Sequence, residues 1–408
     1  MKKKGRFAIL IILLSFLVMA LFSCGFHQNS DIHPIPTLNP DQVRNQKNIF
    51  MSEMATQGEL VELETVPDSY LKYITDYHVG KDFILIADNT IPKVSLYNRQ
   101  GKFLYNIGSF GKGPGEYSRL VELCVNEDQG LIYLYSFYLA RISIYRLNGE
   151  WIKDFNTRDL CSYPMIDVME IVGNNLVLVL RRPPVELEDF YQVWFFDQNL
   201  NFLEKQKPLP SNAMTGFDIQ EAIRSNQFNN GLVYLDYYGD TLFYIDENRK
   251  IEPMLHLDYG RMPTEMAQKK GAFDKQQDFT RIVGFTSAPP LLIFSFYQKA
   301  KKASTIFFNC NNQEMGILED SDCPTQLTLF GLVNDITGIS PYQGGEYFHR
   351  GFLARVVDRW IIDGYVKTEC IEEMSRTYPN QMNRYKEVFS LDKVDQNPVI
   401  EIIQLQGN

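Results

Sequence analysis

The chain has 408 residues, 45% of them hydrophobic and 13% aromatic, and carries a formal charge of −10. An acidic surface of this kind is a poor partner for nucleic acid or for anionic lipid headgroups. The six cysteines form no CxxC and no Cys/His metal spacing, which removes the zinc-ribbon and dithiol classes.

Lys2, Lys3, Lys4 and Arg6 precede an apolar run over residues 7–22, broken by Ser15, and Leu21-Phe22-Ser23-Cys24 follows. The run falls short of the roughly 20 apolar residues of a membrane-spanning helix. It reads as a lipoprotein signal over residues 1–23 that is cleaved before a lipidated Cys24. Cleavage removes four of the 40 basic residues and no acidic one, so 36 − 50 gives a mature charge of −14. The acyl chains, not a basic patch, then hold the protein at the membrane. Residues 24–57 are polar and dotted with Pro34, Pro36 and Pro40, the composition of a flexible tether.

From residue 58 the pattern is all-β. Leu60, Val61, Leu63 and Val66 are interleaved with Glu59, Glu62 and Glu64, which suits a half-buried strand. A unit of roughly fifty residues then recurs: an apolar strand, a second strand, a turn rich in Asn, Asp and Gly, and a third strand. The turns begin at Asn98, Arg146, Asp197 and Asp246, and a diverged copy covers residues 309–312. Asn and Gly tolerate the positive φ of tight hairpins. Strands of this kind repeated radially make a β-propeller. Residues 352–357 and 360–366 read as strands of a sixth unit. Residues 371–390 read as helix that Pro379 should break, and 398–405 as a final strand. An open ring leaves an unpaired edge, so the strand near Leu60 is expected to complete the blade of the last strand. A short helix is expected over residues 263–271.

After the first unit comes Gly108-Ser109-Phe110-Gly111-Lys112-Gly113-Pro114-Gly115-Glu116-Tyr117. It lacks the Gly-Lys-Ser/Thr of a phosphate loop and no periodic helix follows. Gly111, Gly113, Pro114, Gly115, Glu116 and Tyr117 therefore form a structural loop between blades. With the Asn98-Arg99-Gln100-Gly101-Lys102-Phe103 turn and the terminal Asp395-Gln396-Asn397-Pro398-Val399-Ile400, this loop resembles the six-bladed β-propeller lipoproteins of Bacteroidetes, relatives of NHL-type propellers. The resemblance spans residues 59–408 and implies fold and an envelope location at the outer membrane. It supplies no catalytic residues. The first acid after Cys24 is Asp31, which favours the periplasmic leaflet over surface display.

His78, His256 and His349 stand isolated, and no Gly-x-Ser-x-Gly elbow occurs. No catalytic residue, metal ligand or cofactor is assigned, with calcium or zinc left open. In a propeller the loops between second and third strands share one face with those between blades. That face takes Asp88, Tyr138, Arg141, Arg181, Arg182, Tyr237, Asp240, Tyr297 and Lys299 as ligand-binding candidates. Arg181 and Arg182, stiffened by Pro183 and Pro184, suit a carboxylate clamp. The expected function is an envelope-anchored binding or scaffold propeller for a glycan, peptide or partner protein. The alternative is a propeller enzyme, a polysaccharide lyase or a lactone or glycan hydrolase, with or without metal.

Overall fold

A computed structural model describes residues 35–406 except 162–164, 184–187, 209–223, 237–238, 259–280, 299–300, 319–327, 330–331, 338–346, 350, 358, 360–371, 373–374 and 394. The signal, Cys24, the helix expected at 263–271 and the strand expected at 360–366 lie outside the described residues. The propeller unit is Pro36–Asn408. Six antiparallel blades form it.

From the channel outward, blade 1 consists of Ile74–Val79, Phe83–Asp88, Lys93–Asn98 and Phe103–Ile107. Blade 2 follows with Leu120–Asn126, Leu131–Ser136, Arg141–Arg146 and Trp151–Asn156. Blade 3 has Ile166–Val172, Asn175–Leu180, Val193–Phe196 and Phe202–Gln206. In blade 4 the strands are Arg224–Phe228, Gly231–Leu235, Thr241–Ile245 and Ile251–Leu257. Blade 5 uses Arg281–Ala288, Leu291–Gln298, Lys301–Asn309 and Met315–Leu318. Blade 6 joins Tyr347–His349, Phe352–Val357 and Val399–Leu405 to the N-terminal Ala55–Glu62.

The middle strands are apolar on both faces because each face meets a neighbouring blade. The core is accordingly a ring of six clusters, one per blade interface. Leu85, Leu96, Tyr117 and Ile132 lie between blades 1 and 2. Tyr133, Leu178 and Trp194 lie between 2 and 3, and Val177, Phe195 and Phe243 between 3 and 4.

The recurring turn has a common chemistry. The side-chain oxygen of Asn98 accepts from the Gln100 and Lys102 amides at 3.0 and 2.9 Å. Asp197 does the same for Asn199 and Asn201, and Asp246 for Asn248 and Lys250. A left-handed residue closes each turn: Gly101, Gly149, Leu200, Arg249 and Gln313. Only Gly adopts that conformation without cost. At Gly101 the requirement is double, since a Cβ there would stand 2.2 Å from the Glu62 carbonyl oxygen of the closing strand.

The glycine-rich loop is a wedge between blades 1 and 2. The Tyr117 hydroxyl donates to the Ile107 carbonyl at 2.6 Å and accepts from the Val94 amide at 3.1 Å. Glu116 folds back to accept from the Gly113 amide at 2.7 Å. Gly115 lies against the Trp151 ring, where a Cβ would meet it at 2.7 Å.

Ring closure pairs Val399 with Glu62 and Leu405 with Ala55, antiparallel. The closing strand starts earlier than the acidic alternation suggests, and Leu63 to Val66 have already left it. Asn397 locks the seam. Fully buried, it accepts from the Leu71 amide at 2.8 Å and donates to the Glu64 and Ser69 carbonyls at 2.9 Å each.

One sequence expectation changes. The tether assigned to residues 24–57 is, from Pro36 onward, a strap along the outer edges. Thr37–Leu38 pairs in parallel with Ile251–Leu257, and Gln46–Lys47 with Met315–Leu318. Ile49–Phe50 then pairs with Leu332–Val333. Its polar composition hid four anchors, Leu38, Val43, Ile49 and Met51, all buried. Pro379 interrupts the helical stretch as expected: residues 375–377 are helical, Tyr378 is not, and Pro379–Val388 starts anew, since the missing amide of Pro379 is an unneeded donor in the first turn. Met382, Tyr385 and Val388 of that helix cover Leu60 and Val399 of blade 6.

Candidate functional site

The loops between second and third strands and those between blades form the face singled out from the sequence. Most of the polar candidates described there are engaged by the fold itself. Asp88 is buried, and its carboxylate accepts from the Lys72 and Tyr73 amides at 2.7 and 2.6 Å and from Thr90 at 2.9 Å. Asp240 is buried and accepts from the Thr241 hydroxyl at 2.9 Å. Arg141 holds the glycine-rich wedge, donating to the Glu116 carbonyl and pairing with Asp154 at 3.1 Å.

Arg181 and Arg182 do clamp carboxylates, but those of the protein. Arg181 embraces Asp167 with bonds of 2.8 and 2.7 Å. Arg182 reaches across to Asp236 of blade 4 at 3.0 and 2.7 Å. The two guanidiniums thus serve different carboxylates and make no shared cleft. Tyr237 and Lys299 lie outside the described residues, and Tyr297 sits on the second strand of blade 5 opposite Arg281.

The channel wall holds residues that sequence reasoning missed. Asp76, Glu122 and Glu170 project from the innermost strands of blades 1, 2 and 3. A β-bulge precedes Asp76, Glu122 and Val168 in those strands, a device that re-aims side chains. Asp76 accepts from the Leu123 amide of blade 2 at 2.6 Å. Glu170 accepts from Gln227 of blade 4 at 3.3 Å. Burial pushes the Asp76 carboxyl up to about 7, against the pull of its two amide donors. Glu170 is pushed up to about 8 by burial, with Asp76 adding repulsion and the Gln227 bond opposing it. Glu122 is raised well above its ordinary value by burial and by the charges of Asp76, Asp167 and Glu170. The same surroundings raise the buried Cys124 thiol, which makes it a poor nucleophile. Among the described residues no three His, Cys, Asp or Glu side chains are placed to hold a metal ion. The innermost strand of blade 2 left a trace in the sequence, the short apolar run Leu120-Val121-Glu122-Leu123-Cys124-Val125 interrupted by Glu122 and lying between two stronger strands.

Among its described residues the face exposes apolar side chains beside the charged Lys72 and Arg119. Ile91 is 70% exposed and Tyr138 63%, and Tyr70 and Tyr73 are also exposed. Tyr70 and Tyr73 lie on the connection from blade 6 to blade 1, Ile91 on the blade 1 loop and Tyr138 on the blade 2 loop. Asn89 ties these loops together: its amide donates to the Tyr73 carbonyl at 2.8 Å, and its side chain bonds both backbone groups of Leu120 at 2.7 and 3.0 Å. These loops make a rigid rim that carries aromatic and aliphatic side chains over blades 1 and 2.

Among solved structures the chain is similar to a putative exported protein from Bacteroides fragilis, with 11% identity and a TM-score of 0.63 over 91% of this chain and 99% of that one. It is also similar to a member of the DUF4221 family from Bacteroides vulgatus, with 12% identity and a TM-score of 0.48 over 86% and 97%. The first likeness shows the same fold. No curated protein matches. Residues 35–404, and thus the strap together with all six blades, match the family described as "Domain of unknown function (DUF4934)", and the chain belongs to that family.

Proposed function

We propose that this protein is a binding or scaffold propeller, anchored through Cys24 to the periplasmic leaflet of the outer membrane, whose partner is a polypeptide. One observation carries the reading: the described charged candidates on the loop face are tied up internally while Tyr73, Ile91 and Tyr138 stand exposed on it. Burying such side chains against a partner contributes ~1.5–3 kcal/mol each, which favours a macromolecular surface over a small anion. Membrane attachment is tested by acyl labelling, which Cys24→Ser should abolish.

The partner is tested by comparing what envelope extracts deliver to the wild-type protein and to an Ile91→Asp/Tyr138→Asp variant of equal melting temperature. A polypeptide retained by the first and lost by the second supports the reading, and equal retention overturns it. The tyrosines also suit a sugar platform. Glycan-array binding that depends on Tyr73 would therefore replace polypeptide by glycan. Stoichiometric calcium or zinc in the purified protein would instead favour the metal-assisted enzyme.

A further inference from the structure

The outer side of the ring is not covered evenly. The strap lies on the outermost strands of blades 4 and 5, and the Pro379–Val388 helix covers Leu60 and Val399 of blade 6. Among the described residues the outermost strands of these three blades expose no large apolar side chain. Blades 1, 2 and 3 each expose an adjacent pair on theirs: Leu104 with Tyr105, Trp151 with Ile152, and Phe202 with Leu203. The pairs are linked into one band. Tyr105 reaches the turn that precedes Trp151, donating to the Leu147 carbonyl at 2.8 Å, and Lys153 reaches the turn that precedes Phe202, donating to the Asn199 carbonyl.

The polar atoms of this band are engaged within the protein. The Tyr105 hydroxyl is held by Leu147, and the Trp151 indole N–H donates to Asp154 at 3.1 Å. Gln206 donates to the Arg249 carbonyl at 3.2 Å, and the Arg249 guanidinium pairs with Glu204 at 3.3 Å. The Lys205 ammonium sits 3.9 Å from the Tyr191 ring centre. What the band presents outward is ring and alkyl carbon. The loop face differs, since the hydroxyls of Tyr70, Tyr73 and Tyr138 bond no described residue and remain open to a partner. Lys153, Asp154, Glu204 and Lys205 are the charged residues of the three strands, and they sum to zero. The band therefore exerts no net pull on a charged partner.

The anchor identifies what meets this band. From Cys24 to Thr37, the first residue of the strap to pair, the chain advances 37 − 24 = 13 residues, a reach of at most ~45 Å. Thr37 pairs with His256 on the outermost strand of blade 4, and blade 4 is the neighbour of blade 3 in the ring. A bilayer that takes up acyl chains at Cys24 is thus kept close to the outer side of the blades. Aromatic rings with aliphatic neighbours and no net charge are what the headgroup boundary of a bilayer accepts.

We propose that the outer side of blades 1–3 rests on the bilayer to which Cys24 holds the protein, with Tyr105, Trp151 and Phe202 at the headgroup boundary. The inference rests on the anchoring proposed above. The propeller then lies on its side, and its loop face opens along the membrane, where a partner can reach it. Contact comes from insertion of apolar side chains, so it requires neither anionic lipid nor low salt.

The test uses the acylated protein, purified from the envelope and reconstituted in phosphatidylcholine vesicles with or without bromine on the acyl chains just beneath the headgroups. Trp151→Phe separates the emission of Trp151 from that of Trp194 and Trp360. The expected result is at least about twofold quenching of Trp151 by bromine, unchanged by salt. Leu104→Glu/Ile152→Glu, which alters exposed positions only, should remove most of that quenching. Vesicle-bound, acyl-labelled protein whose Trp151 is not quenched overturns the proposal and leaves the anchoring intact. Protein without an acyl label overturns the anchoring and this proposal together. Trp151 shielded from iodide in the absence of vesicles, in a protein that sediments as a dimer, replaces the bilayer by a second copy. Should the double variant fold poorly, the difference between the wild-type protein and Trp151→Phe decides alone.

Discussion

Asn397 shows how much a ring depends on one side chain. Its carboxamide satisfies an amide and two carbonyls on residues 64–71, more than 320 positions earlier in the chain. A buried group left unpaired costs ~1–3 kcal/mol. Asn397→Ala is expected to lower stability by about 3 kcal/mol in urea unfolding. Asn397→Asp keeps the acceptor for Leu71 but turns a carboxylate toward two carbonyl oxygens. Its deficit should be larger at pH 7 and partly recovered at pH 4, where the protonated acid can donate. The Asp-Gln-Asn-Pro stretch was visible as a motif in the sequence. Its role was not, because the partners are contiguous with the opposite end of the chain. Arg181 and Arg182 teach the reverse lesson: the local pattern of a clamp was legible, but Asp167 and Asp236, which fill it, come from another strand and another blade.

At the scale of elements, the strap is the test case. Removing residues 1–51 takes away three strand pairings and buried Leu38, Val43, Ile49 and Met51. Each such side chain contributes ~1.5–3 kcal/mol before the entropy of ordering the strap is counted. A form starting at Ser52 is thus expected to melt roughly 5 °C or more below one starting at Ile35, by calorimetry. Removing Ala55–Glu62 as well should prevent a single cooperative transition, because blade 6 loses its outermost strand. Middle strands were readable because both faces are apolar, and the hairpin turns because Asn, Asp and Gly mark them. The innermost strands carry the channel carboxylates, and the strap carries isolated anchors among polar residues. Neither gives the unbroken apolar run or strict alternation that single-sequence reading detects. The wedge loop was placed between blades from its glycines alone, but its lock, the Tyr117 hydroxyl spanning Ile107 and Val94, needed three dimensions.

For the whole molecule, the channel couples fold to pH. Asp76 and Glu170 hold protons in the folded state up to about 7 and about 8, whereas the unfolded chain releases them near 4. Between those limits the folded state binds more protons, so the stabilisation is full at acid pH and is lost as pH rises through 7 and 8. The melting temperature should therefore fall from pH 5 to pH 8. Glu170→Gln, which keeps the bond to Gln227 and carries no charge, should make that fall shallower. An unchanged slope would remove Glu170 from the explanation.

Closure by the first and last strands also dictates an order of events. As the chain emerges, residues 55–62 have no partner until Val399–Leu405 has been made. Five blades can form while that strand waits, but the ring cannot be sealed on a growing chain. Transport across a membrane before folding suits such a topology, since the two ends then arrive in one compartment, free to meet.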